Sequence, residues 1–228
     1  MDADMPNDLV LYDYWRSSAA YRARIALNLK GLSYAARAVH LVRDGGQQHS
    51  ASYHAINPQE LIPSLLDGER VITQSLAIME YLDDIHPDAP LLPADARGRA
   101  RVRALAMTIV SDAHPIGNLR VLRYLETEMH ADEAQRLAWS RYWIAISFAA
   151  LETMLADNAA TGRYCHGDAP GMADACLVPQ FYSAVRWGLP LDGYPTLQRI
   201  VRECSALEAF QRAAPAAQPD APAPEAGG

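Results

Sequence analysis

Two adjacent serines, Ser17 and Ser18, stand between a short apolar run and a helical pattern. Residues 9–14 have the β-branched and aromatic character of a strand, and residues 18–29 repeat apolar side chains at helical spacing until Gly31. The serines therefore occupy the N-cap region of a helix, where unpaired backbone N–H groups and the helix dipole stabilise an anion. This junction is a candidate anion site, and the alternative is an ordinary capped helix.

Three arginines, Arg16, Arg22 and Arg24, crowd the same turn. They are a local exception in a chain with a formal net charge of −7 and a pI of about 5.4. The overall acidity argues against nucleic acid as a partner, whereas the local arginines suit a small acidic ligand. The alternative is that the arginines are solvated.

The composition is that of a folded protein with a sizeable core. Of 228 residues, 50% are hydrophobic and 21% are charged. The three cysteines include no CxxC pair, and their odd, sparse count favours reduced thiols in a cytoplasmic protein. No metal site is predicted. No apolar run of about 18 residues occurs, and the acidic start of the chain is unlike a signal peptide, so we expect no membrane association.

The first half of the chain alternates strand-like and helix-like segments in the order β-α-β-α-β-β-α, which is thioredoxin-like. A domain is therefore predicted over residues 8–88. Its predicted elements are strands at 9–14 and 34–41, helices at 18–29, 50–56 and 74–85, a loop at 42–49, and a hairpin at 64–72 that turns at Asp67-Gly68.

The second half is predicted to be all-α over residues 96–212, after a proline-rich linker at 86–96. His114-Pro115 should interrupt the helical pattern. The tail at 213–228 is rich in Ala and Pro, lacks a hydrophobic period and is predicted to be disordered. The predicted helices lie at 99–109, 119–129, 133–155, 172–185 and 195–210.

A thioredoxin-like half followed by an all-helical half resembles the cytosolic glutathione transferases. Several motifs in order resemble the zeta class of that family, and the resemblance spans about residues 9–212. These motifs are Arg16-Ser17-Ser18 with Arg22-Ala23-Arg24-Ile25-Ala26-Leu27, Asn57-Pro58, Ile62-Pro63, Gln74-Ser75-Leu76-Ala77-Ile78 and Ala173-Asp174. The resemblance implies a homodimeric, glutathione-dependent isomerase of aromatic catabolism that converts a maleyl dioxo acid, maleylacetoacetate or maleylpyruvate, to its fumaryl isomer without consuming glutathione.

The resemblance also implies roles for residues of the first domain. Ser17 would stabilise the glutathione thiolate, with Ser18 as a second donor or only a cap. Ile62 would bind the cysteinyl backbone of glutathione beside a cis bond to Pro63, the alternative being a trans proline in a loop. Ser75 is predicted from its residue type to cap a helix, and the resemblance implies that this turn holds the γ-glutamyl carboxylate. Gln48 would reach the glycyl end, with the adjacent Gln47 as the alternative. The remaining residues assigned to this glutathione site are Ala19, Ala20, Tyr21, Arg22 and Gln74.

In the second domain, the segment that completes the glutathione site in the zeta class aligns with His114, Asn118, Leu119 and Arg120. His114 could instead mark a kink, and Arg120 could be a solvated helix charge. Arg186 aligns with an arginine that faces the substrate, and two guanidinium groups, from Arg16 and Arg186, would suit a dicarboxylate.

Two positions depart from the zeta pattern. Ala19 stands where a cysteine often follows the two serines, which removes a second thiol, as in the maleylpyruvate isomerases. Gly171 replaces the usual Ser or Thr before Asp174, a change that an N-cap tolerates. Two other functions stay open: a general glutathione transferase or peroxidase that consumes glutathione, and a non-catalytic binding protein on the same fold.

Overall fold

The computed structural model describes residues 9–223, which form two compact units. Of the described residues, unit 1 contains 9–91 together with 207–223, and unit 2 is Leu92–Ala206. No helix within residues 9–223 is long and apolar enough to cross a membrane.

Unit 1 is built on a four-stranded sheet with the strand order β2-β1-β3-β4. β1 runs parallel to β2, whereas β3 is antiparallel to both β1 and β4. The elements follow the predicted order, and they are β1 (Leu9–Asp13), α1 (Ser18–Leu29), β2 (Ala35–Ala38), α2 (Ala51–His54), β3 (Ser64–Asp67), β4 (Arg70–Thr73) and α3 (Ser75–Ile85).

The core of unit 1 is formed by apolar residues that repeat with the period of a strand in β1 and with the period of a helix in α1 and α3. Alternate residues of β1 are buried, and Leu11 pairs with Leu65 of β3, both with no exposed surface. α1 packs against α3, and both helices bury aliphatic side chains such as Ile25 and Ile78. The sheet edge β2 is exposed along all four of its residues.

Three local predictions in unit 1 need correction. The hairpin turns at Gly68-Glu69, one residue later than predicted, because Asp67 still pairs with Arg70 and Gly68 takes a positive φ of 56°. The predicted loop at 42–49 contains two single 3₁₀ turns, Arg43–Gly45 and Gln47–His49. Helix α3 begins at Ser75 and not at Gln74.

Within residues 92–206, every regular element is a helix, as predicted. Asp95, Asn118 and Asp132 cap three of these helices with their side chains, which explains why those helices begin where they do. The helices are α4 (Ala96–Val110), α5 (Leu119–Thr127), α6 (Glu133–Ala156), α7 (Met172–Arg186) and α8 (Pro195–Ser205).

Asp174 has a structural role at the start of α7. It is fully enclosed in unit 2, and its carboxylate accepts hydrogen bonds from the backbone N–H of Gly171 at 2.9 Å and of Cys165 at 2.8 Å. Gly171, without a side chain, serves as the N-cap of α7 because the Asp174 carboxylate binds its N–H.

The end of the chain differs from the prediction. The helix predicted over 195–210 ends at Ser205, because Leu207 is extended (φ −86°, ψ 136°), and a separate helix α9 (Glu208–Ala213) belongs to unit 1. The predicted disorder from residue 213 is wrong up to residue 223, since Pro215–Ala217 is a 3₁₀ turn and Gln218 is buried. Residues 224–228 of that prediction, and residue 8 of the predicted first domain, lie outside the described residues.

Candidate functional site

Ser17 is the N-cap of α1, as predicted. Its backbone is extended (φ −69°, ψ 119°), and its Oγ accepts a hydrogen bond from the N–H of Ala20 at 3.2 Å. A hydroxyl oxygen that accepts in this way still carries a hydrogen that it can donate. Ser17 therefore offers a donor at the positive end of a helix dipole, while Ser18 is the first residue of the helix itself.

The sheet brings three predicted site segments together at one end of its strands. Tyr12 of β1 and Thr73 of β4 both pair with Ser64 at the start of β3. The chain that leaves β1 toward Ser17, the chain that enters β3 through Ile62-Pro63, and the chain that leaves β4 toward Ser75 therefore meet at the same end of the sheet. A ligand at this end of the sheet can reach all three segments.

The Ile62-Pro63 peptide bond is cis, as the resemblance implied. The carbonyl of the preceding residue, Leu61, accepts hydrogen bonds from the Tyr53 hydroxyl and from Asn57 Nδ2, both at 2.7 Å. In a trans peptide the C=O and the next N–H point in opposite directions, so fixing the Leu61 carbonyl also fixes the direction of the Ile62 N–H. Neither the orienting role of Asn57 nor that of Tyr53 was predicted from the sequence.

The start of α3 differs from its prediction. Gln74 occupies the N-cap position with a positive φ of 69° and makes no side-chain cap, and its Nε2 donates to Gln59 Oε1 at 2.9 Å. Ser75 is the first helical residue and does not cap the helix. Its Oγ accepts a hydrogen bond from Arg22 Nη1 at 3.0 Å, so Arg22 joins α1 to the N-terminus of α3.

Two of the three arginines near Ser17 are buried, so the solvated alternative does not hold for them. Arg22 is 1% exposed and donates a hydrogen bond to Ser75, while Arg24 has no exposed surface. Arg24 forms an ion pair with Asp13 at 2.5 Å. Burial raises the pKa of the Asp13 carboxyl, and the Arg24 guanidinium opposes that rise. Only Arg16 is partly exposed, with its guanidinium 5.2 Å from the centroid of the Trp15 ring.

The other residues assigned to the start of α1 divide between core and surface. Ala20 and Tyr21 are buried, at 0% and 5% exposure, so their side chains belong to the core of unit 1. Ala19 is partly exposed.

Gln48 is buried, at 4% exposure, and its amide is only partly satisfied. Its Nε2 lies 3.0 Å from His49 Nε2 and 3.5 Å from the Leu41 carbonyl, while its Oε1 has no hydrogen-bond partner among the described residues. An unsatisfied buried polar atom costs about 1–3 kcal/mol unless a ligand or water pairs with it. The adjacent Gln47 is exposed and binds His40, which favours Gln48 over Gln47 as the ligand-binding residue.

The candidate residues of unit 2 lie at two helix ends. Asn118 caps α5, and its Oδ1 accepts from the N–H of Arg120 at 3.2 Å. Leu119 is partly buried, Arg120 is exposed, and His114 lies in the turn that separates α4 from α5, as the His114-Pro115 pair predicted.

Arg186 is the last residue of α7. It is exposed, and its guanidinium lies 4.4 Å from the centroid of the Trp187 ring, within the range of a cation–π contact. Arg141 donates to the Trp187 carbonyl at 2.5 Å, which ties the end of α7 to α6.

Comparison with known proteins identifies the family. Residues 11–90 match the model described as glutathione S-transferase, N-terminal domain. The chain is 52% identical over 213 residues to a probable maleylacetoacetate isomerase of Vibrio cholerae, an alignment that covers 93% of this chain and 98% of that protein.

Two solved structures are similar along nearly the whole chain. One is the holo structure of a maleylpyruvate isomerase, a bacterial zeta-class glutathione S-transferase (TM-score 0.91, 48% identity, 93% of this chain and 100% of that chain). The other is a maleylacetoacetate isomerase of Methylobacterium extorquens with bound malonate and glutathione (TM-score 0.90, 42% identity, 94% and 100%). The chain therefore belongs to the zeta-class glutathione transferases, the family of the maleylacetoacetate and maleylpyruvate isomerases.

Proposed function

We propose that this protein is a glutathione-dependent cis–trans isomerase that converts maleylacetoacetate or maleylpyruvate to its fumaryl isomer. The observation that carries the proposal is the position of the Ser17 hydroxyl at the N-terminus of α1, at the same end of the sheet as Ile62 and Ser75. Relatives that bear the names of these two isomerases span almost the whole chain.

The residues of unit 1 fit glutathione. Ile62 supplies backbone groups for the cysteinyl part, and the N-terminus of α3 with Ser75 suits the γ-glutamyl carboxylate. Gln48 has an unsatisfied buried amide oxygen that a ligand can complete. We assign His114, Asn118, Leu119 and Arg120 of unit 2 to the same ligand. The relative from Methylobacterium extorquens binds glutathione.

Ser17 controls the protonation of the bound thiol. A free thiol has a pKa of about 8.5, so at neutral pH most of it is in the unreactive form. The Ser17 hydroxyl and the dipole of α1 both favour the negative form, and they therefore lower the thiol pKa. When bound, glutathione supplies a thiolate nucleophile for reversible addition at the substrate double bond.

The substrate carries carboxylates, and we assign Arg16 and Arg186 to them. A guanidinium group binds a carboxylate through two parallel N–H donors, and its charge also offsets negative charge that develops during the reaction. The relative from Methylobacterium extorquens binds malonate, which is a dicarboxylate. Ala19 leaves Ser17 without a neighbouring protein thiol, so the thiol chemistry comes from glutathione alone.

We further propose that the protein acts as a homodimer in a reducing cytoplasm. The dimer rests on family resemblance. The reducing compartment is supported by Cys165, Cys176 and Cys204, which are all buried and form no disulfide bond within residues 9–223.

The function is tested by turnover with each maleyl substrate at a glutathione concentration far below that of the substrate. Isomerisation predicts that the fumaryl product exceeds the glutathione many-fold while the titre of free thiol stays constant. A general transferase would instead stop after one equivalent and deplete the thiol. A non-catalytic binding protein would bind glutathione and give no product.

A further inference from the structure

The C-terminal segment 207–221, which we term the C-terminal strap, packs along α1. Asn28 Nδ2 donates to the Ala209 carbonyl and Arg24 Nε to the Ala213 carbonyl, both at 2.9 Å. Because both donors belong to α1, the strap is fixed to the helix whose N-terminus carries Ser17.

The strap is also braced internally up to its end. Gln218 is buried, at 8% exposure, and its Nε2 donates to the carbonyls of Arg212 and Ala214, both at 2.9 Å. These bonds hold the chain two residues before Asp220. The position of Asp220 is therefore determined by the packing of the strap on α1.

Asp220 reaches the turn that precedes Ser17. Its Oδ2 accepts a hydrogen bond from the Trp15 N–H at 3.0 Å, and Arg24 Nη2 donates to the Trp15 carbonyl at 3.0 Å. Both backbone polar groups of Trp15 are thus held by side chains. The Ser17 N–H then closes the turn by donating to the Tyr14 carbonyl at 2.9 Å.

We propose that Asp220 is a positioning residue: it fixes the conformation of the Trp15–Ser17 turn and so orients the Ser17 hydroxyl toward the glutathione thiol. The proposal rests on the proposed function, in which Ser17 stabilises the thiolate. A net hydrogen bond is worth about 0.5–1.5 kcal/mol, which corresponds to a change of roughly two- to twelvefold in the population of the correctly held turn.

The contact requires an acceptor and does not require a charge. An asparagine at position 220 keeps an acceptor oxygen at nearly the same place and removes the negative charge. Asp220→Asn should therefore preserve the effect, whereas Asp220→Ala should remove it. Glu208→Ala is a matched control, because Glu208 lies in the same strap and its side chain is 81% exposed.

The experiment first measures amide hydrogen exchange at Trp15 in the protein without glutathione. Asp220→Ala should accelerate this exchange about tenfold, while Asp220→Asn and Glu208→Ala should stay within about twofold of the wild type. Asp220→Lys, which places a donor opposite the Trp15 N–H, is a second disruptive variant and should behave as Asp220→Ala does. Unchanged exchange in both disruptive variants would overturn the proposal.

The second measurement separates positioning from stability. Asp220→Ala should raise the pKa of the bound thiol and lower kcat about five- to tenfold, with KM for the maleyl substrate nearly unchanged. A lower Tm with wild-type kcat and thiol pKa would show a purely structural contact and overturn the proposal. Ser17→Ala is measured in parallel. If Ser17→Ala retains full turnover, the role of Ser17 in the proposed function is wrong. If Ser17→Ala loses turnover while Asp220→Ala keeps it, only the role of Asp220 is wrong.

Discussion

Replacing Asn57 with alanine should both destabilise the protein and weaken its binding of glutathione. Asn57 is 1% exposed and makes three hydrogen bonds: Nδ2 donates to the Leu61 carbonyl (2.7 Å) and to Ser64 Oγ (3.2 Å), and Oδ1 accepts from the Gln59 N–H (3.0 Å). At about 0.5–1.5 kcal/mol for each net bond, the loss for three bonds is about 1.5–4.5 kcal/mol. The lower end applies, because the Tyr53 hydroxyl still donates to Leu61 and contacts Ser64.

The effect on binding follows from the geometry of one peptide group. The Leu61 carbonyl and the Ile62 N–H belong to the same plane, so a carbonyl that has lost one of its two donors holds the N–H less firmly. We expect glutathione to bind about tenfold more weakly to Asn57→Ala. Tyr53→Phe removes the other donor with little change in volume, and it should cost about 1 kcal/mol and at most a few-fold in affinity.

The double variant gives the sharpest result. With both donors removed, the Leu61 carbonyl is left partly buried without either of its side-chain partners, so the combined loss of stability should exceed the sum of the single losses by about 1 kcal/mol or more. Urea unfolding measures the free energies, and calorimetric titration measures glutathione affinity. A loss of stability with wild-type glutathione affinity would show that the network supports the fold without orienting Ile62.

Three further outcomes are expected. Ser17→Ala should lower turnover much more than Ser18→Ala and, by removing the cap, should lower the free energy of unfolding by about 1 kcal/mol; equal losses of turnover would remove the special role of Ser17. Arg186→Ala should lower kcat/KM for the maleyl acid about ten- to a hundredfold and leave conjugation of an uncharged electrophile nearly unchanged, whereas equal losses would indicate damage to α7. Hydrogen bonds from His49 and His54 lower the pKa of Glu60, so these bonds stabilise the fold above the ordinary carboxyl pKa of 4.5, and this stabilisation is lost as pH falls through the lower pKa of the folded state. The free energy of unfolding of Glu60→Gln should therefore fall less steeply with acidification than that of the wild type. The same pH dependence in both proteins would contradict this.

The order of elements and the N-cap at Ser17 could be predicted because both are local properties of the chain. Apolar periods mark β1 and α1, and a serine at their junction has few other uses. The cis bond at Ile62-Pro63 was different, since only the family resemblance and no local pattern indicated it. The capping preference of serine predicted Ser75 as the N-cap of α3, but the N-cap is Gln74 and Ser75 is the first helical residue.

The contacts that sequence analysis missed are long-range bonds between side chains and distant groups. Arg22 and Ser75 are 53 residues apart, and Trp15 and Asp220 are 205 residues apart, so no spacing rule connects them. The Ala- and Pro-rich tail has no hydrophobic period. It is nevertheless ordered through residue 223, because side chains such as Arg24 and Gln218 bind its backbone carbonyls. Composition reports on the potential to form a core and contains no information on such bonds.

Under the proposed function, the Ser17 hydroxyl at the N-terminus of α1 stabilises the glutathione thiolate. The most direct test is a pH titration of the thiolate absorbance of bound glutathione in the wild type and in Ser17→Ala. The wild-type complex should titrate below the free-thiol pKa of about 8.5, and the variant should titrate closer to that value. A bound thiol with the same pKa in both proteins would contradict this role of Ser17.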